Sequence, residues 1–147
     1  MVGGRWSYPF RTEAIDDLSR MGHKLNLIKE IGSRTIVPEN FLNISSPLCC
    51  DPGVILGYLP GRQIDRLELK IGKGARIRSG TVIYAGSTIG ANLETGHNVL
   101  IREQNEIGDN FTIWSNTVID YGCRIGNSVV IRCNVYVRFV FRTMTPV

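Results

Sequence analysis

An apolar residue recurs at every sixth position over almost half of the chain. From residue 71 to residue 137 this rhythm keeps its phase without a slip. Eleven of the twelve positions hold Ile or Val, and one holds Thr. They are Ile71, Ile77, Ile83, Ile89, Thr95, Ile101, Ile107, Ile113, Ile119, Ile125, Ile131 and Val137. A period of six fits neither the 3.6-residue period of a helix nor the two-residue alternation of a sandwich strand, and it indicates a repeat architecture.

A second pattern lies three residues after each of the first eleven positions. Nine of these eleven sites hold Gly or Asn, the residues that best tolerate positive φ in tight turns. Gln104 and Ser128 are the exceptions. The nine are Gly74, Gly80, Gly86, Asn92, Asn98, Asn110, Asn116, Gly122 and Asn134. Each hexad therefore predicts one short strand followed by one corner.

The dipeptide Ile-Gly sets the size of one coil. It recurs at every third hexad, at Ile71, Ile89, Ile107 and Ile125. Three hexads hold three strands and three corners, which predicts triangular coils stacked as parallel strands about 4.8 Å apart. Inward isoleucines would fill the prism, each contributing about 1.5–3 kcal/mol of burial free energy. We expect an all-β fold, a parallel β-helix of about four coils over residues 63–137.

The two flanks do not show this rhythm. We expect residues 1–62 to form an irregular N-terminal cap, with a short helix over 12–21 between the N-cap Thr12 and the stop signal Gly22. Residues 138–147 are apolar, basic and off-pattern. They predict an edge strand or a disordered tail.

Composition excludes several classes of function. The net charge of +4 comes from scattered basic residues, so no nucleic-acid partner is expected. No apolar run is long enough for membrane insertion, and the N-terminal segment lacks a signal-peptide core, so we expect a cytoplasmic protein. The cysteines form no CxxC pair and have no histidine at ligand spacing, so no metal site is expected. They are Cys49, Cys50, Cys123 and Cys133.

The hexad [Ile/Val]-Gly-x-x-[small]-x resembles that of the hexapeptide-repeat acyltransferases over about residues 52–137. The stretches that carry the resemblance are "IGKGARIRSGTVIYAGSTIG", "TGHNVLIREQNEIGDNFTIWSNTVIDYGCRIGN" and "VVIRCNVYV". They are most similar to sugar acetyltransferases of lipopolysaccharide and surface-polysaccharide synthesis. The resemblance implies a left-handed prism, a homotrimer, acetyl-CoA as acyl donor in a groove between prisms, and a sugar or nucleotide-sugar acceptor.

The resemblance also implies a histidine general base, and His97 is the only histidine of the repeat region. Imidazole titrates near neutral pH and can take a proton from an attacking amine or hydroxyl. The three-hexad spacing places His97 between Ser79 and Ser115, with Cys133 beyond. The alternative is that His97 is a surface corner residue at a trimer contact.

Several neighbours of His97 are candidate substrate contacts. Gly96 stacks between Arg78 and Trp114, and its missing side chain predicts a notch open to a ligand. Trp114 is expected to stack on a base or sugar ring, or else to pack at a subunit interface. Asn116 is expected to contact substrate, or else only to adopt the positive φ of a corner.

Three further residues carry open alternatives. Arg102 and Arg132 are candidates for phosphate contact, against simple solvation. Thr95 is either a tolerated polar residue whose hydroxyl bonds a neighbouring carbonyl, or a support for the turn that carries His97. The residues that bind acetyl-CoA are not identified by the pattern.

The expected function is transfer of an acetyl group from acetyl-CoA to an amino or hydroxyl group of a sugar, nucleotide-linked by resemblance. Similar enzymes carry further coils beyond the point equivalent to Val137, and these help to form the acyl-CoA groove. The alternative expectation is therefore a truncated, non-catalytic β-helix remnant that folds and trimerises without binding acyl-CoA.

Overall fold

The computed structural model describes residues 34–35 and 39–138, which form sixteen short strands and one 3-10 helix, Glu39–Phe41. The strands are β1 (Arg34–Thr35), β2 (Leu42–Ile44), β3 (Leu48–Cys50), β4 (Ile55–Tyr58), β5 (Leu69–Ile71), β6 (Ala75–Ile77), β7 (Val82–Tyr84), β8 (Thr88–Ile89), β9 (Glu94–Thr95), β10 (Leu100–Ile101), β11 (Glu106–Ile107), β12 (Thr112–Ile113), β13 (Val118–Ile119), β14 (Arg124–Ile125), β15 (Val130–Ile131) and β16 (Tyr136–Val137). The described part of the chain has no helix with the length and apolar character to cross a bilayer.

The strands form three parallel sheets, each built from every third strand. Sheet A has the order β1-β4-β7-β10-β13-β16, sheet B β14-β11-β8-β5-β2, and sheet C β15-β12-β9-β6-β3. The chain therefore visits all three sheets once per coil. We number the coils 1 to 5, from β2–β4 to β14–β16. The predicted all-β, parallel β-helix is confirmed.

The register matches the three-hexad repeat from coil 2 onwards. Leu100 pairs with Val82 on one side and with Val118 on the other. Positive φ falls on the predicted corner residues, including Gln104 and Ser128, at 59° and 58°. The hexad isoleucines point inward and are the centre of one continuous buried cluster. The rhythm thus encodes both the core and the corners.

The prism begins earlier than the sequence predicts. Strands β2, β3 and β4 form a complete coil below β5, β6 and β7, within the range expected to be an irregular cap. Ile44, Cys50 and Leu56 keep the hexad step, but Ile44 pairs with Ile71, which lies four and a half hexads later rather than three. The additional hexad and a half lies in the loop of residues 59–68 and resets the phase. The described prism therefore has five coils, not about four.

The other predictions for the flanks are not decided by the structure. The expected helix over residues 12–21 and residues 139–147 of the expected tail lie outside the described residues.

Candidate functional site at the His97 corner

His97 lies where coil 3 passes from sheet C to sheet A, between β9 and β10. The predicted column forms at this corner. The Asn98 amide donates to the Ser79 carbonyl at 3.1 Å, and the Asn116 amide to the His97 carbonyl at 3.0 Å. We call the column of Ser79, His97, Ser115 and Cys133 the His97 corner.

The exposed imidazole of His97 is held at one nitrogen. Its Nδ1 lies 2.9 Å from the hydroxyl oxygen of Ser79, in the preceding coil. Its main-chain N–H donates to Oγ of Ser115, in the following coil, at 2.9 Å. Among residues 39–138, no group bonds Nε2. The ring is thus oriented by protein on one side and available on the other.

Asp51 lies one coil before Ser79, in the neighbouring row that holds Arg78 and Gly96, and it was not predicted from the sequence. Its Oδ2 accepts a hydrogen bond from the Ser79 amide at 3.2 Å and lies 4.0 Å from Nη1 of Arg78. The hexad step of Ile44, Cys50 and Leu56 was the available signal, because it places residue 51 directly after an inward position. The loop of residues 59–68 shifts the phase of the repeat, so these three residues do not continue the rhythm that starts at Ile71.

Thr95 alters the backbone pairing beneath His97. The Arg78 amide donates to Oγ1 of Thr95 at 3.0 Å. At the equivalent place one coil later, the Gly96 amide donates to the main-chain carbonyl of Ile113 at 2.7 Å. Thr95 is 1% exposed, and β6 pairs with β9 through Arg76 and Glu94 alone. The Thr95 hydroxyl therefore accepts the hydrogen bond that a main-chain carbonyl accepts one coil later. It does not donate to a neighbouring carbonyl, as one of the two interpretations of Thr95 had expected.

The predicted notch at Gly96 is not present. Gly96 is buried, and a Cβ atom built on it would lie 2.5 Å from both the amide nitrogen and Oγ of Ser115. The glycine lets the next coil approach closely, so the space that was expected to admit a ligand is filled by backbone. The prediction was wrong because it considered only the side chains at equivalent positions of successive coils.

Three of the four candidate substrate contacts lie at the His97 corner or beside it. Trp114 is half-buried in the next coil, and Asn116 is exposed with a φ of 58°. Arg132 is exposed one coil further, in the same row as Trp114. Asn116 thus fills the corner role, and no side chain of the described residues bonds its exposed amide.

Arg102 is not brought to His97. It lies at the opposite edge of sheet A, where the chain turns towards sheet B, and β10 separates the two residues. Its guanidinium contacts Oε1 of Glu103 at 3.0 Å and Oδ1 of Asp120 at 2.9 Å. Two carboxylates therefore compensate its charge, and Arg102 is a structural ion-pair partner in this arrangement.

Glu103 and Arg62 form the centre of this second cluster, which was not predicted from the sequence. The Glu103 side chain is 0% exposed, and Oε1 accepts from Nε of Arg62 at 2.7 Å. Arg62 belongs to the loop of residues 59–68, and its Cζ lies 3.9 Å from the centre of the Tyr121 ring. Burial alone would raise the pKa of Glu103, but hydrogen bonds from Arg62 and Arg102 lower it below its usual value.

Asp120 is the next anion of the cluster. Its Oδ2 accepts from the Tyr136 hydroxyl at 2.7 Å, and this bond, with the Tyr121 amide and Arg102, holds the pKa of Asp120 below its usual value. The same bond raises the pKa of the Tyr136 phenol. We call Arg62, Arg102, Glu103, Asp120 and Tyr136 the ion-pair cluster.

No group of three or more His, Cys, Asp or Glu side chains within residues 34–35 and 39–138 is arranged to hold a metal ion.

The chain was also compared with known proteins. No family model, curated protein or solved structure matches it significantly. The fold and the geometry of the His97 corner are therefore the basis for a functional proposal.

Proposed function

We propose that the protein transfers an acetyl group from acetyl-CoA to an amino or hydroxyl group of a sugar, a nucleotide-linked sugar of surface-polysaccharide synthesis, with His97 as general base. The observation that carries the proposal is the state of the imidazole. It is exposed, fixed at Nδ1 by Ser79, and has no bond at Nε2 among the described residues. A surface histidine that takes part in no reaction does not need a hydrogen bond that fixes its ring.

His97 would act at Nε2 on the acceptor. As the acceptor nitrogen or oxygen attacks the thioester carbonyl, Nε2 takes its proton, and the ring then returns that proton to the departing thiolate. The new bond joins the acyl carbon to the acceptor, and the carbon–sulfur bond breaks. Trp114 and Arg132 are the residues that we propose to stack on a ring and contact a phosphate of the bound nucleotides.

The face of sheet A supports a proposal that the protein is a homotrimer. In coils 1 to 4 its outward row consists of half-buried aliphatic side chains, and in coil 5 the row ends with the exposed Tyr136; the four aliphatic residues are Ile55, Val82, Leu100 and Val118. Over coils 1 to 5 the corresponding row of sheet B is Asn43, Lys70, Thr88, Glu106 and Arg124, and that of sheet C is Cys49, Arg76, Glu94, Thr112 and Val130. Of the three faces, sheet A is the most apolar, which favours contact with another subunit.

The His97 corner borders this apolar face, because β10 of sheet A follows it directly. A second prism seated on sheet A would therefore lie beside the imidazole. Such a neighbour would shield the reaction from water and supply a second wall for an extended donor.

The direct test is the variant His97→Ala. We expect turnover of acetyl-CoA with amino-sugar and nucleotide-sugar acceptors to fall about 100- to 10,000-fold, the usual contribution of a general base. Circular dichroism and the oligomeric mass should stay unchanged. His23→Ala, at the other histidine of the chain, is the control and should keep its activity. Full activity of His97→Ala would refute the assignment.

A non-catalytic prism is the competing interpretation. Calorimetric titration of the wild-type protein with acetyl-CoA separates the two. Saturable binding supports the transferase, whereas no binding at millimolar acetyl-CoA supports a scaffold without a donor site.

A further inference from the structure

We propose that Ser79, polarised by Asp51, is a positioning residue that keeps the proton of the neutral His97 ring on Nδ1. This places an unprotonated Nε2 at the exposed side of the ring. The proposal rests on the proposed role of His97 as general base, since only an unprotonated Nε2 can accept a proton from the acceptor sugar.

The Ser79–His97 contact alone allows two arrangements. At 2.9 Å, the Ser79 hydroxyl either donates to Nδ1 or accepts from an Nδ1–H group. In the first case the ring proton is on Nε2, which can then only donate. In the second case Nε2 carries the lone pair. A serine is both donor and acceptor, so a further group must decide between the two.

Asp51 is that group. It lies in coil 1, Ser79 in coil 2 and His97 in coil 3, so the carboxylate and the imidazole are on opposite sides of the serine. The carboxylate already accepts the Ser79 amide at 3.2 Å. The hydroxyl itself makes no hydrogen bond to Asp51, so the effect is that of a nearby negative charge, which favours the orientation with the hydroxyl hydrogen towards coil 1 and a lone pair of Oγ towards Nδ1. Arg78 is 4.0 Å away and half-exposed, so it compensates that charge only in part.

This arrangement also suits the protonated ring. When Nε2 takes a proton, the imidazolium has two N–H donors, and Nδ1 still donates to the same oxygen of Ser79. The hydrogen bond therefore does not have to reverse during the reaction. A site that needs no reorganisation as charge develops lowers the barrier to the chemical step.

The tautomer is measured directly by two-bond proton–nitrogen correlation NMR on the full chain, without substrate, at a pH where the ring is neutral. The His97 signals are assigned by their loss in His97→Ala. We expect Nδ1 to be protonated in the wild type. In Ser79→Ala and in Asp51→Asn, we expect the proton to move largely to Nε2, the position that a free imidazole prefers.

Ser115→Ala is the matched control. Ser115 flanks His97 on the other side, but its hydroxyl accepts from the main-chain N–H and not from the ring. We expect the His97 ring of Ser115→Ala to have the same tautomer as in the wild type. A wild-type ring protonated on Nε2, or a Ser79→Ala ring still protonated on Nδ1, would overturn the proposal.

Kinetics then connect the tautomer with the proposed function. We expect Ser79→Ala to lower kcat about tenfold or more with KM little changed, because part of the general-base contribution is lost. The expected tautomer shift without any acetyl transfer by the wild type would support the role of Ser79 and refute the transferase. Transfer at the wild-type rate by Ser79→Ala would refute the role of Ser79 alone.

Discussion

At the scale of single residues, the glycines that follow the inward isoleucines decide how closely the coils approach. A Cβ atom on Gly108 would lie 2.9 Å from the amide nitrogen of Asn127 and from the carbonyl carbon of Gly126, in the next coil. The same atom on Gly126 would have no neighbour within 4 Å among the residues that the structure describes. These two residues have the same position in the hexad, and they differ in the described residues that lie above them.

Gly108→Ala should therefore destabilise the protein, and Gly126→Ala should not. Forcing a methyl group against backbone costs about 1–3 kcal/mol of unfolding free energy. With open space and no positive φ, Gly126→Ala should be neutral or stabilising by up to about 1 kcal/mol. Urea unfolding of both variants measures the difference. Equal stabilities would show that coil spacing does not depend on these glycines.

The residue scale is also where prediction from sequence was weakest. The three-hexad spacing placed Ser79, His97 and Ser115 in one column correctly. It could not show that Gly96 is covered by the backbone of Ser115, because spacing orders residues within a column and does not give contacts between neighbouring columns. Asp51 was missed for a different reason, since an insertion displaced its phase.

At the scale of elements, the loop of residues 59–68 is tied to the prism by a buried charge. Arg62 contacts Glu103 at 2.7 Å and Oε1 of Gln104 at 2.7 Å. Ile64 and the Arg66 carbonyl of the same loop lie over Gly86. The loop thus covers one corner of coils 2 and 3 and excludes water from Glu103.

Arg62→Ala should loosen this loop and leave Glu103 with Arg102 as its remaining cation. Because Arg62 is 41% exposed, we expect a modest loss of about 1–2 kcal/mol in unfolding free energy at neutral pH. Arg66→Ala is the matched control, since Arg66 is more exposed and contacts Glu68 only at 3.8 Å. Urea unfolding and hydrogen exchange of the loop amides provide the two readouts.

The same cluster predicts how stability depends on pH. Folding lowers the pKa of both Glu103 and Asp120. Their contribution is therefore complete above the unfolded-state pKa, about 4, and is lost as pH falls through the lower folded-state values. The stability difference between wild type and Arg62→Ala should shrink as pH falls through the folded-state pKa values of Glu103 in the two proteins. A difference that stays constant down to the pH at which the wild type unfolds would exclude Glu103 as its source.

At the scale of the whole molecule, the three faces of the prism are chemically different. The aliphatic row on sheet A continues through coils 1 to 4, whereas the outward rows of sheets B and C carry charged residues. The interior is uniform by comparison, since the same hexad fills every coil. The proposed trimer therefore depends on the outward positions alone.

Leu100→Glu should break the proposed trimer. Four strands of sheet A bring aliphatic side chains to this face, and a carboxylate in their midst would be desolvated on assembly. Thr88→Glu is the control, with the same hexad position in the same coil but on sheet B. Light scattering after size exclusion should show a monomer for the first variant and the wild-type mass for the second. A trimeric Leu100→Glu would move the interface elsewhere.

Sequence was most informative at this largest scale. A strict period specifies the strand, the corner and the coil together, because each inward isoleucine must stack on another one coil away. Coil 1 was not predicted because Cys50 and Leu56 stand in place of isoleucine, and its phase differs by half a hexad from that of the other coils. The ion-pair cluster was not predicted because it joins a loop to the prism, and no periodicity relates residue 62 to residue 103.

From coil 2 to coil 5, equivalent residues of successive coils are always three hexads apart. This constant spacing determines which changes in chain length the protein tolerates. Adding or removing one whole three-hexad repeat keeps every remaining strand in register, and any other length must be absorbed at a corner. The loop of residues 59–68 is an example of the second kind. A duplicated copy of residues 106–123 would lengthen the prism by one coil, move Cys133 one step further from His97, and leave Ser79 and Ser115 as its neighbours. The number of coils can thus change while the residues that flank His97 stay the same.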